Sequence, residues 1–325
     1  MRNAIKNTAL SILFISILIG LLTFFSLLLS PKNNNNEGGI IDPAANGILS
    51  EPENTIDVLI VGDSESYCTF IPLQIWEQHG ITSYCCGTSG QLLSYSEQFV
   101  HKAFREQTPK IVILETNAIF RKVSFDKALE NKMGAYFSIF TYHNRWKTLS
   151  KNDLNLSVSY NYIDNSKNYS FSAVAVAANA AKYMKPSTAF EQIPSRNRRY
   201  VERIKSYCEN NGAKLLLVST PSTVNWNTKK HNSIVRLSKE IDVEYIDMNM
   251  MQKEIPIDWK TDTRDSGDHL NYFGAKKATA YLGKYLKDSG IFADHRKDNT
   301  YSNWNEALKS FNEILIPLAK KAFSG

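Results

Sequence analysis

From about residue 55 onward, short apolar runs alternate with longer amphipathic segments. This pattern predicts strands and helices in turn. The predicted strands are "IDVLIV", "ITSYCC", "KIVILET", "KLLLVSTP" and "VEYIDM". The predicted helices are "FIPLQIWEQHG", "LLSYSEQFVHKAFREQ", "NRRYVERIKSYCENNG", "HNSIVRLSKEI" and "YFGAKKATAYLGKYLKDSG". Strands that alternate with helices imply right-handed crossovers, and hence a three-layer α/β/α fold around a mainly parallel sheet.

The N-terminal apolar run has a different pattern, because Ala9 to Leu29 contains no charged residue. A bilayer core of ~30 Å needs roughly 20 helical residues, so this run predicts a transmembrane helix. Arg2 and Lys6 precede the run, which predicts a cytoplasmic N-terminus and an extracytoplasmic domain. The alternative is a cleaved signal peptide. The length of the run and the lack of a clear A-x-A site favour an uncleaved, single-pass anchor over residues 1–30.

Three further segments depart from the alternating pattern. Residues 31–54 contain four consecutive Asn with Gly and Pro, which predicts a disordered linker. Residues 123–194 are polar and aromatic and then alanine-rich, and we expect an insertion over one edge of the sheet, as a lid or substrate platform. Residues 301–323 predict a helix that docks on the domain, with a membrane-surface helix as the alternative. Its apolar side has Trp304, Leu308, Phe311, Leu315 and Leu318.

Composition narrows the class of protein. Apolar residues make up 43% and charged residues 22%, which is ordinary for a globular domain. The net charge is only +6, and the basic stretches "RNRR" (196–199) and "KK" (229–230) are interpreted as solvated helix faces. A nucleic-acid partner is therefore not expected.

The cysteines do not indicate a metal site. Cys68, Cys85, Cys86 and Cys208 form no C-x-x-C pair, so neither zinc nor another cofactor is predicted. Cys85 and Cys86 are interpreted as packed thiols. A disulfide that involves Cys68 or Cys208 is left open.

Candidate chemistry follows the predicted strands, because reactive groups of open α/β sheets collect outside the carboxyl ends of the strands. Ser64 follows the first strand, "GTSG" (87–90) the second and "ETN" (115–117) the third. "DSGDHLNYFGA" (265–275) directly precedes the last predicted sheet-covering helix. These groups should therefore meet at one edge of the sheet.

Such a set of residues is typical of acyl transfer. A serine nucleophile needs a neighbouring base, which here is His269, and the imidazole needs a carboxylate. Backbone N–H groups of Ser64 and Gly90, with the Asn117 amide, could bind the oxyanion. Both Asp265 and Asp268 are near His269. We favour Asp265 because a Ser-Gly pair follows it and lets its carboxylate fold back. Asp268 is expected to cap the following helix or to interact with its dipole.

The stretches "VGDSES", "GTSG", "ETN" and "DSGDHLN" resemble the four blocks of the SGNH, or GDSL-like, hydrolase superfamily. The resemblance covers about residues 55–125 and 195–290. It implies a flavodoxin-like α/β/α fold with esterase or O-acyltransferase activity. It also implies Ser64 as nucleophile, Gly90 and Asn117 as oxyanion donors, and His269 as base.

The N-terminal span is similar to that of the membrane-anchored branch of this superfamily, which includes alginate O-acetylation and teichoic-acid D-alanylation proteins. This resemblance implies a cell-surface glycan or teichoic acid as substrate and a multi-span membrane acyltransferase as partner. The chain departs from the family pattern in several places. Glu65 replaces a Leu, Glu115 a Gly and Ala118 an Asp, and Ser266 stands where the family has Asp.

Two functions follow from these observations. The first is an extracytoplasmic serine O-acyltransferase or esterase. The second is a membrane-tethered, catalytically weak glycan-binding or scaffold component of an acylation machine. The unusual Asp spacing favours the second, whereas the intact Ser, Gly, Asn and His favour the first. An ordinary α/β-hydrolase is disfavoured, because "GDSES" lacks the second Gly of G-x-S-x-G.

Overall fold

The computed structural model describes residues 1–36 and 38–323, which form two compact units. The first, here called the helical unit, consists of Met1–Pro43 and Val123–Tyr162. The second, here called the sheet unit, consists of Ala44–Lys122 and Ile163–Gly325.

The sheet unit is built on five parallel strands: β1 (Val58–Gly62), β2 (Ser83–Gly87), β3 (Ile111–Glu115), β4 (Lys214–Ser219) and β5 (Glu244–Asp247). The side chains of β1 to β4 are almost entirely buried, as expected for aliphatic runs covered on both faces, whereas the first half of β5 is more exposed. The order of the strands across the sheet is β2-β1-β3-β4-β5. This order is that of the flavodoxin-like doubly wound fold, so the predicted fold class is confirmed.

Helices flank this sheet in two groups. The first group consists of α3 (Ser64–Thr69), α4 (Pro72–His79), α10 (Tyr272–Asp288) and α11 (Ser302–Phe323), and its members pack on one another. The second group includes α5 (Leu93–Ala103) and α8 (Ser195–Asn210), which pack together and against β1 and β4 respectively. Helix α9 (Thr228–Glu240) packs on β5, and the short α2 (Pro43–Asn46) precedes β1. All five predicted helices are present.

Helix α4 ends where the sequence predicts. Gly80 follows it with φ 66°, and its N–H bonds to the Trp76 carbonyl. Only glycine adopts this left-handed conformation without steric cost, and a Cβ here would collide with Asp294.

The C-terminal helix α11 packs against α4 of the sheet unit. Trp304 is fully buried, and its ring lies 5.6 Å from that of Trp76 in α4. Phe311 is also buried, but Leu318 is 51% exposed, so the predicted apolar side is wrong at that position.

The predicted linker is ordered at Asn34, which is fully buried in the helical unit, and over its second half, which belongs to the sheet unit. Residues 45–49 are buried, and Ile48 belongs to the core of the sheet unit. Tyr84 donates a hydrogen bond to the Ala44 carbonyl at 2.8 Å. The prediction of disorder is wrong here because the polar composition of residues 31–54 concealed the apolar "GILS" stretch.

The predicted insertion at 123–194 divides between the two units. Residues 163–194 belong to the sheet unit and contain neither helix nor strand. Residues 123–162 belong to the helical unit together with α1 (Arg2–Leu29). They form α6 (Phe125–Tyr136), α7 (Ile139–Tyr142) and two short 3-10 helices, His143–Lys147 and Lys151–Leu154.

Within α1, residues Asn3–Leu29 are long and apolar enough to cross a membrane, and no other helix in the described ranges is. Most of their side chains are exposed, which is unlike a buried core helix. A signal sequence near an N-terminus meets the same criterion of length and composition.

The four cysteines are free and buried. Burial raises the pKa of the Cys68, Cys85 and Cys208 thiols to about 12, so these sulfur atoms are poor nucleophiles. The disulfide that the sequence left open is not formed.

One buried ion pair ties the segment before β1 to the segment after residue 162. Lys167 Nζ lies 2.5 Å from Glu51 Oε1, with both side chains at most 1% exposed. The ammonium also lies 4.7 Å from the centre of the Trp304 ring, and Asn303 donates to the second Glu51 oxygen.

We expect Lys167→Met to lower the free energy of unfolding by about 3–5 kcal/mol, because it leaves the Glu51 carboxylate buried without its cation. Urea unfolding followed by circular dichroism measures this loss. The double variant Lys167→Met/Glu51→Gln should recover part of it. Lys284→Met, in an exposed pair with Asp288, is the control and should change stability by less than about 1 kcal/mol. A loss no larger than that of the control would contradict the structural role of Lys167.

Candidate active site

Ser64 lies at the junction of β1 and α3. Strand β1 ends at Gly62, and Asp63 caps α3 by accepting a hydrogen bond from the Glu65 N–H at 3.1 Å. Ser64 is therefore the first residue of the helix, at the carboxyl edge of the sheet, and its side chain is half-buried. A strand, a tight turn and a helix hold its hydroxyl at a fixed place.

His269 contacts both Ser64 and Asp265. His269 Nε2 lies 2.8 Å from Ser64 Oγ, and Nδ1 lies 2.6 Å from Asp265 Oδ2. The other Asp265 oxygen accepts the backbone N–H of His269 at 2.6 Å. In a neutral imidazole this network places the proton on Nδ1, facing the carboxylate, and leaves Nε2 to accept the serine proton.

The loop between Asp265 and His269 turns back through two residues with positive φ, Ser266 at 61° and Gly267 at 94°. The loop after β4 holds this turn in place. The Thr223 N–H donates to the Gly267 carbonyl at 2.9 Å, and a Cβ at Gly267 would collide with Thr223 Oγ1. The Ser222 hydroxyl donates to the Asp268 carbonyl at 2.8 Å.

Asp268 is placed differently from Asp265. Its Oδ2 is 3.7 Å from His269 Nδ1, and its Oδ1 accepts a hydrogen bond from the Asn225 side chain. The expectation that Asp268 caps α10 is wrong. Asn271 is the cap, and it accepts the N–H groups of Phe273 and Gly274.

The side chain of Asn117 is fixed at both ends. Nδ2 donates to Asp63 Oδ2 at 3.0 Å, and Oδ1 accepts from Lys230 Nζ at 3.2 Å. Glu115 Oε2 accepts the Asn117 backbone N–H at 3.0 Å. An amide nitrogen carries two protons, so one Nδ2 proton is left for a ligand.

Gly90 lies in an exposed turn after β2, with φ 59°. Arg121 lies beside Gly90, because a Cβ added to Gly90 would be 3.7 Å from Arg121 Nη1. Arg121 Nη2 also pairs with Asp63 Oδ2 at 2.6 Å, so Gly90 is near the same cluster of side chains. Across residues 1–36 and 38–323, neither the Ser64 N–H nor the Gly90 N–H has a hydrogen-bond acceptor. Both N–H groups are therefore available to an oxyanion.

Sequence reasoning missed three residues of this cluster: Arg121, Lys230 and Asn225. The pair 229–230 was interpreted as a solvated helix face, which is wrong for Lys230. Its ammonium is partly buried over the rings of Phe120 and Trp226, and burial lowers its pKa. Asn225 donates to Glu65 Oε1 at 2.6 Å as well as to Asp268. No local motif marks these residues, because each contact joins segments far apart in the sequence.

Two of the departures from the family pattern are buried carboxyl groups. Burial raises the pKa of Glu65 well above its ordinary value, and the neighbouring Asp63 adds to this effect. Burial, together with the nearby Asp63, also raises the pKa of Glu115 well above its ordinary value. A Cβ at Gly62 would lie 2.6 Å from the Cβ of Glu115, so glycine at that position makes room for the larger residue.

Among residues 1–36 and 38–323, one group of side chains has the spacing of a metal site. Glu65, Asp268 and His269 offer ligand atoms within 4.8 Å of one another. The geometry favours other roles, since Asn225 bonds both carboxyl groups and His269 Nδ1 faces Asp265. The raised pKa of Glu65 also disfavours the ionised form that a metal requires.

The similarity of this chain to known proteins lies in its structure and not in its sequence. No protein-family model matches the sequence, and no curated protein sequence does. Three similar solved structures represent the structural matches. A lipase/acylhydrolase from Enterococcus faecalis is 9% identical, covering 72% of this chain and 97% of its own, with a TM-score of 0.39. A GDSL-like lipase from Bacteroides thetaiotaomicron is 10% identical, covering 76% and 99%, with a TM-score of 0.38.

The third is the psychrotrophic esterase EstA from Pseudoalteromonas, which is 11% identical, covering 71% of this chain and 94% of its own, with a TM-score of 0.35. These scores describe a distant likeness in fold, whereas the candidate chemistry depends on the side chains of Ser64, His269 and Asp265.

The raised pKa of Glu65 predicts a pH-dependent stability. The folded protein holds this proton more tightly than the unfolded chain, so stability falls as the pH rises above the ordinary value of 4.5 and continues to fall up to the raised pKa. Glu65→Gln removes this ionisable group. The free energy of unfolding of the variant minus that of wild type should therefore increase by about 1.4 kcal/mol for each unit by which the pH rises in that window.

Urea unfolding at pH 5, 6, 7 and 8 measures this difference. Glu77→Gln, at an exposed position of α4, is the control and should follow wild type at every pH. Parallel stability curves for wild type and Glu65→Gln would show that Glu65 ionises normally.

Proposed function

We propose that this protein is a serine esterase or O-acyltransferase that acts on acyl esters, with acetyl as the acyl group. The observation that carries this proposal is the hydrogen-bonded series Ser64, His269 and Asp265, with heavy-atom distances of 2.8 and 2.6 Å. A serine, an imidazole and a carboxylate in this order form the arrangement that activates a hydroxyl for attack on a carbonyl carbon.

The first half-reaction forms an acyl-enzyme. His269 Nε2 takes the Ser64 proton while Oγ forms a bond to the carbonyl carbon, and the carbonyl oxygen becomes an oxyanion. When the tetrahedral intermediate collapses, the bond to the leaving alkoxide breaks and His269 returns the proton to that oxygen. Asp265 keeps the imidazole oriented and stabilises the imidazolium that forms between the two steps.

The second half-reaction repeats these steps with another nucleophile. His269 takes a proton from water or from an acceptor hydroxyl, whose oxygen attacks the acyl carbon, and Ser64 leaves with the proton. Water gives hydrolysis, and a sugar or polyol hydroxyl gives transfer. The base and the oxyanion donors are the same in both cases.

The oxyanion is bound by three groups in this proposal: the N–H of Ser64, the N–H of Gly90 and the Asn117 amide. Lys230 and Asp63 hold the Asn117 amide in one orientation before the substrate arrives. Preorganised donors of this kind are each worth on the order of 100–1,000-fold in rate.

We further propose a cell-surface glycan or teichoic acid as the natural substrate. The side chains of Asp265 and Asp268 are 41% and 39% exposed, so the site opens directly to solvent. An open site accommodates a small acyl group on a large polymer better than a long acyl chain, which needs a deep apolar pocket.

The location proposed is the cell membrane, with α1 as a single span, the N-terminus in the cytoplasm and the sheet unit outside. The length of α1, its exposed apolar side chains and the basic Lys6 near its start support this topology. A multi-span membrane acyltransferase is the partner proposed for delivery of the acyl group.

The scaffold alternative rested on the missing Asp three residues before His269. Asp265 reaches His269 Nδ1 from four residues before, so that spacing no longer supports an inactive site. We therefore retain the enzyme as the single proposal.

We expect Ser64→Ala to lower the hydrolysis rate of an activated acetyl ester by several orders of magnitude, because the attacking oxygen is removed. A spectrophotometric assay of p-nitrophenyl acetate measures the rate, and circular dichroism checks the fold. Ser206→Ala, on the exposed surface of α8, is the control and should keep wild-type activity. More than about a tenth of the wild-type rate in Ser64→Ala would contradict the assignment, and an inactive wild-type protein would favour the scaffold function.

Asp265→Asn and Asp268→Asn separate the two aspartates. Asp265→Asn should cost about 10⁴-fold in rate with little loss of stability, because an amide no longer holds the required imidazole tautomer. Asp268→Asn should cost little, since its carboxylate bonds Asn225 and lies farther from His269. The same assay decides between them, and the reverse order of effects would transfer the role to Asp268.

A further inference from the structure

Helix α6 of the helical unit carries an apolar face that is open to solvent. Phe125, Leu129, Met133 and Tyr136 are 71%, 47%, 36% and 76% exposed. Their spacing of four, four and three residues puts them on one side of the helix. We call these four residues the apolar face of α6.

The opposite side of α6 faces the rest of the unit. Asn131, half a turn from the apolar face, is 5% exposed. Gly134, on the same side, faces α7, because a Cβ there would collide with Thr141 Oγ1. Lys127 also lies on this side but is exposed, near the start of the helix, where it pairs with Glu130 at 3.0 Å. The helix therefore packs by its polar side and turns its apolar face outward, which is the reverse of the pattern of a helix in a soluble domain.

Helix α6 is held close to the C-terminal end of α1. Helix α7 follows it directly and packs against both α6 and α1. The Ser138 hydroxyl donates to the Ser26 carbonyl at 3.0 Å, and the Ile139 N–H donates to Ser26 Oγ at 3.2 Å.

The rest of the segment 123–162 also binds this end of α1. Arg145 Nη1 donates to the Leu29 carbonyl at 2.8 Å, and Nη2 pairs with Asp153 at 2.6 Å. Asn34, just beyond the helix, accepts the N–H groups of Asn161 and Tyr162 at 3.0 and 2.9 Å. Residues 138–162 are thus fastened to the last turn of α1 and to the chain just beyond it.

The position of the bilayer follows if α1 spans it. A helix of 28 residues is about 42 Å long and exceeds a hydrocarbon core of ~30 Å, so its last turn lies at the level of the lipid headgroups. The parts packed on that turn lie at the same level. Aromatic residues, which prefer this zone, are exposed in the same segment at Trp146 (64%) and Tyr160 (40%).

We propose that α6 lies in the outer membrane interface, parallel to the bilayer, with its apolar face among the upper acyl chains. Continuity with α1 favours lipid as the occupant of this face over a protein partner, because both apolar surfaces belong to one unit and meet the bilayer together. The segment 123–162 is then a second membrane attachment rather than a lid or substrate platform. This inference rests on the proposed span of α1, but not on the catalytic proposal.

The test uses the full chain reconstituted in vesicles of phosphatidylcholine and phosphatidylglycerol, with one environment-sensitive fluorophore on an introduced cysteine. Leu129→Cys reports on the apolar face, and Lys127→Cys, on the opposite side of the same helix, is the matched control. Ile15→Cys, in the middle of α1, reports on the span. The native cysteines are all buried, so labelling is directed to the introduced thiol, and unmodified protein gives the background.

Lipids that carry a nitroxide near the headgroup should quench the Leu129→Cys probe at least three-fold more than the Lys127→Cys probe. Lipids with a deep nitroxide should quench the Ile15→Cys probe most.

Quenching at Ile15→Cys with none at Leu129→Cys would overturn the interface proposal and leave the span intact. No quenching at either position would contradict both the interface position of α6 and the membrane span of α1. Protection of the Leu129→Cys probe from aqueous iodide without quenching by lipid would assign the face to a protein and overturn the proposal. Esterase activity of the same samples reports separately on the catalytic proposal.

Discussion

The carboxylate of Asp63 is the point on which the geometry of the candidate site depends. It receives the Glu65 N–H, the Asn117 side-chain amide and the Arg121 guanidinium, from the helix after β1 and from the segment after β3. Ser64 lies between Asp63 and Glu65, so the group that starts helix α3 also sets the position of the serine hydroxyl. One buried anion thus orders the proposed nucleophile and one of the proposed oxyanion donors together. Burial and the Asp63 charge raise the pKa of the neighbouring Glu65 and Glu115 carboxyls, which disfavours further negative charge beneath the site.

The sheet and its helices could be predicted from the sequence because their signals are local. The strands are short aliphatic runs, and Gly80 ends α4 in the left-handed conformation that its position requires. The preference for Asp265 over Asp268 as the neighbour of His269 was also a local argument. It relied on the Ser-Gly pair, and both of those residues adopt positive φ in the turn that brings Asp265 to His269.

The contacts that the sequence did not reveal join distant segments. Lys230 lies on α9 but bonds Asn117, and Asn225 bridges Glu65 of α3 and Asp268 of the loop before α10. Their identities are ordinary for a helix face or a turn, so only the fold shows what they contact. Composition misled in the same way at residues 45–49, where a few apolar side chains in a polar stretch are buried in the core. The segment 123–162 was interpreted as part of the catalytic domain, because its association with α1 has no sequence marker.

The solvent exposure of Asp265 and Asp268 has a kinetic consequence for an acyl group carried on Ser64. Water reaches such a site as readily as any acceptor, so the acyl group partitions between two competing nucleophiles. The ratio of transfer to hydrolysis is then set by how long an acceptor hydroxyl stays beside Ser64 relative to the lifetime of the ester bond. For an open site, selectivity for transfer must come from the residence of the polymer chain rather than from the exclusion of water.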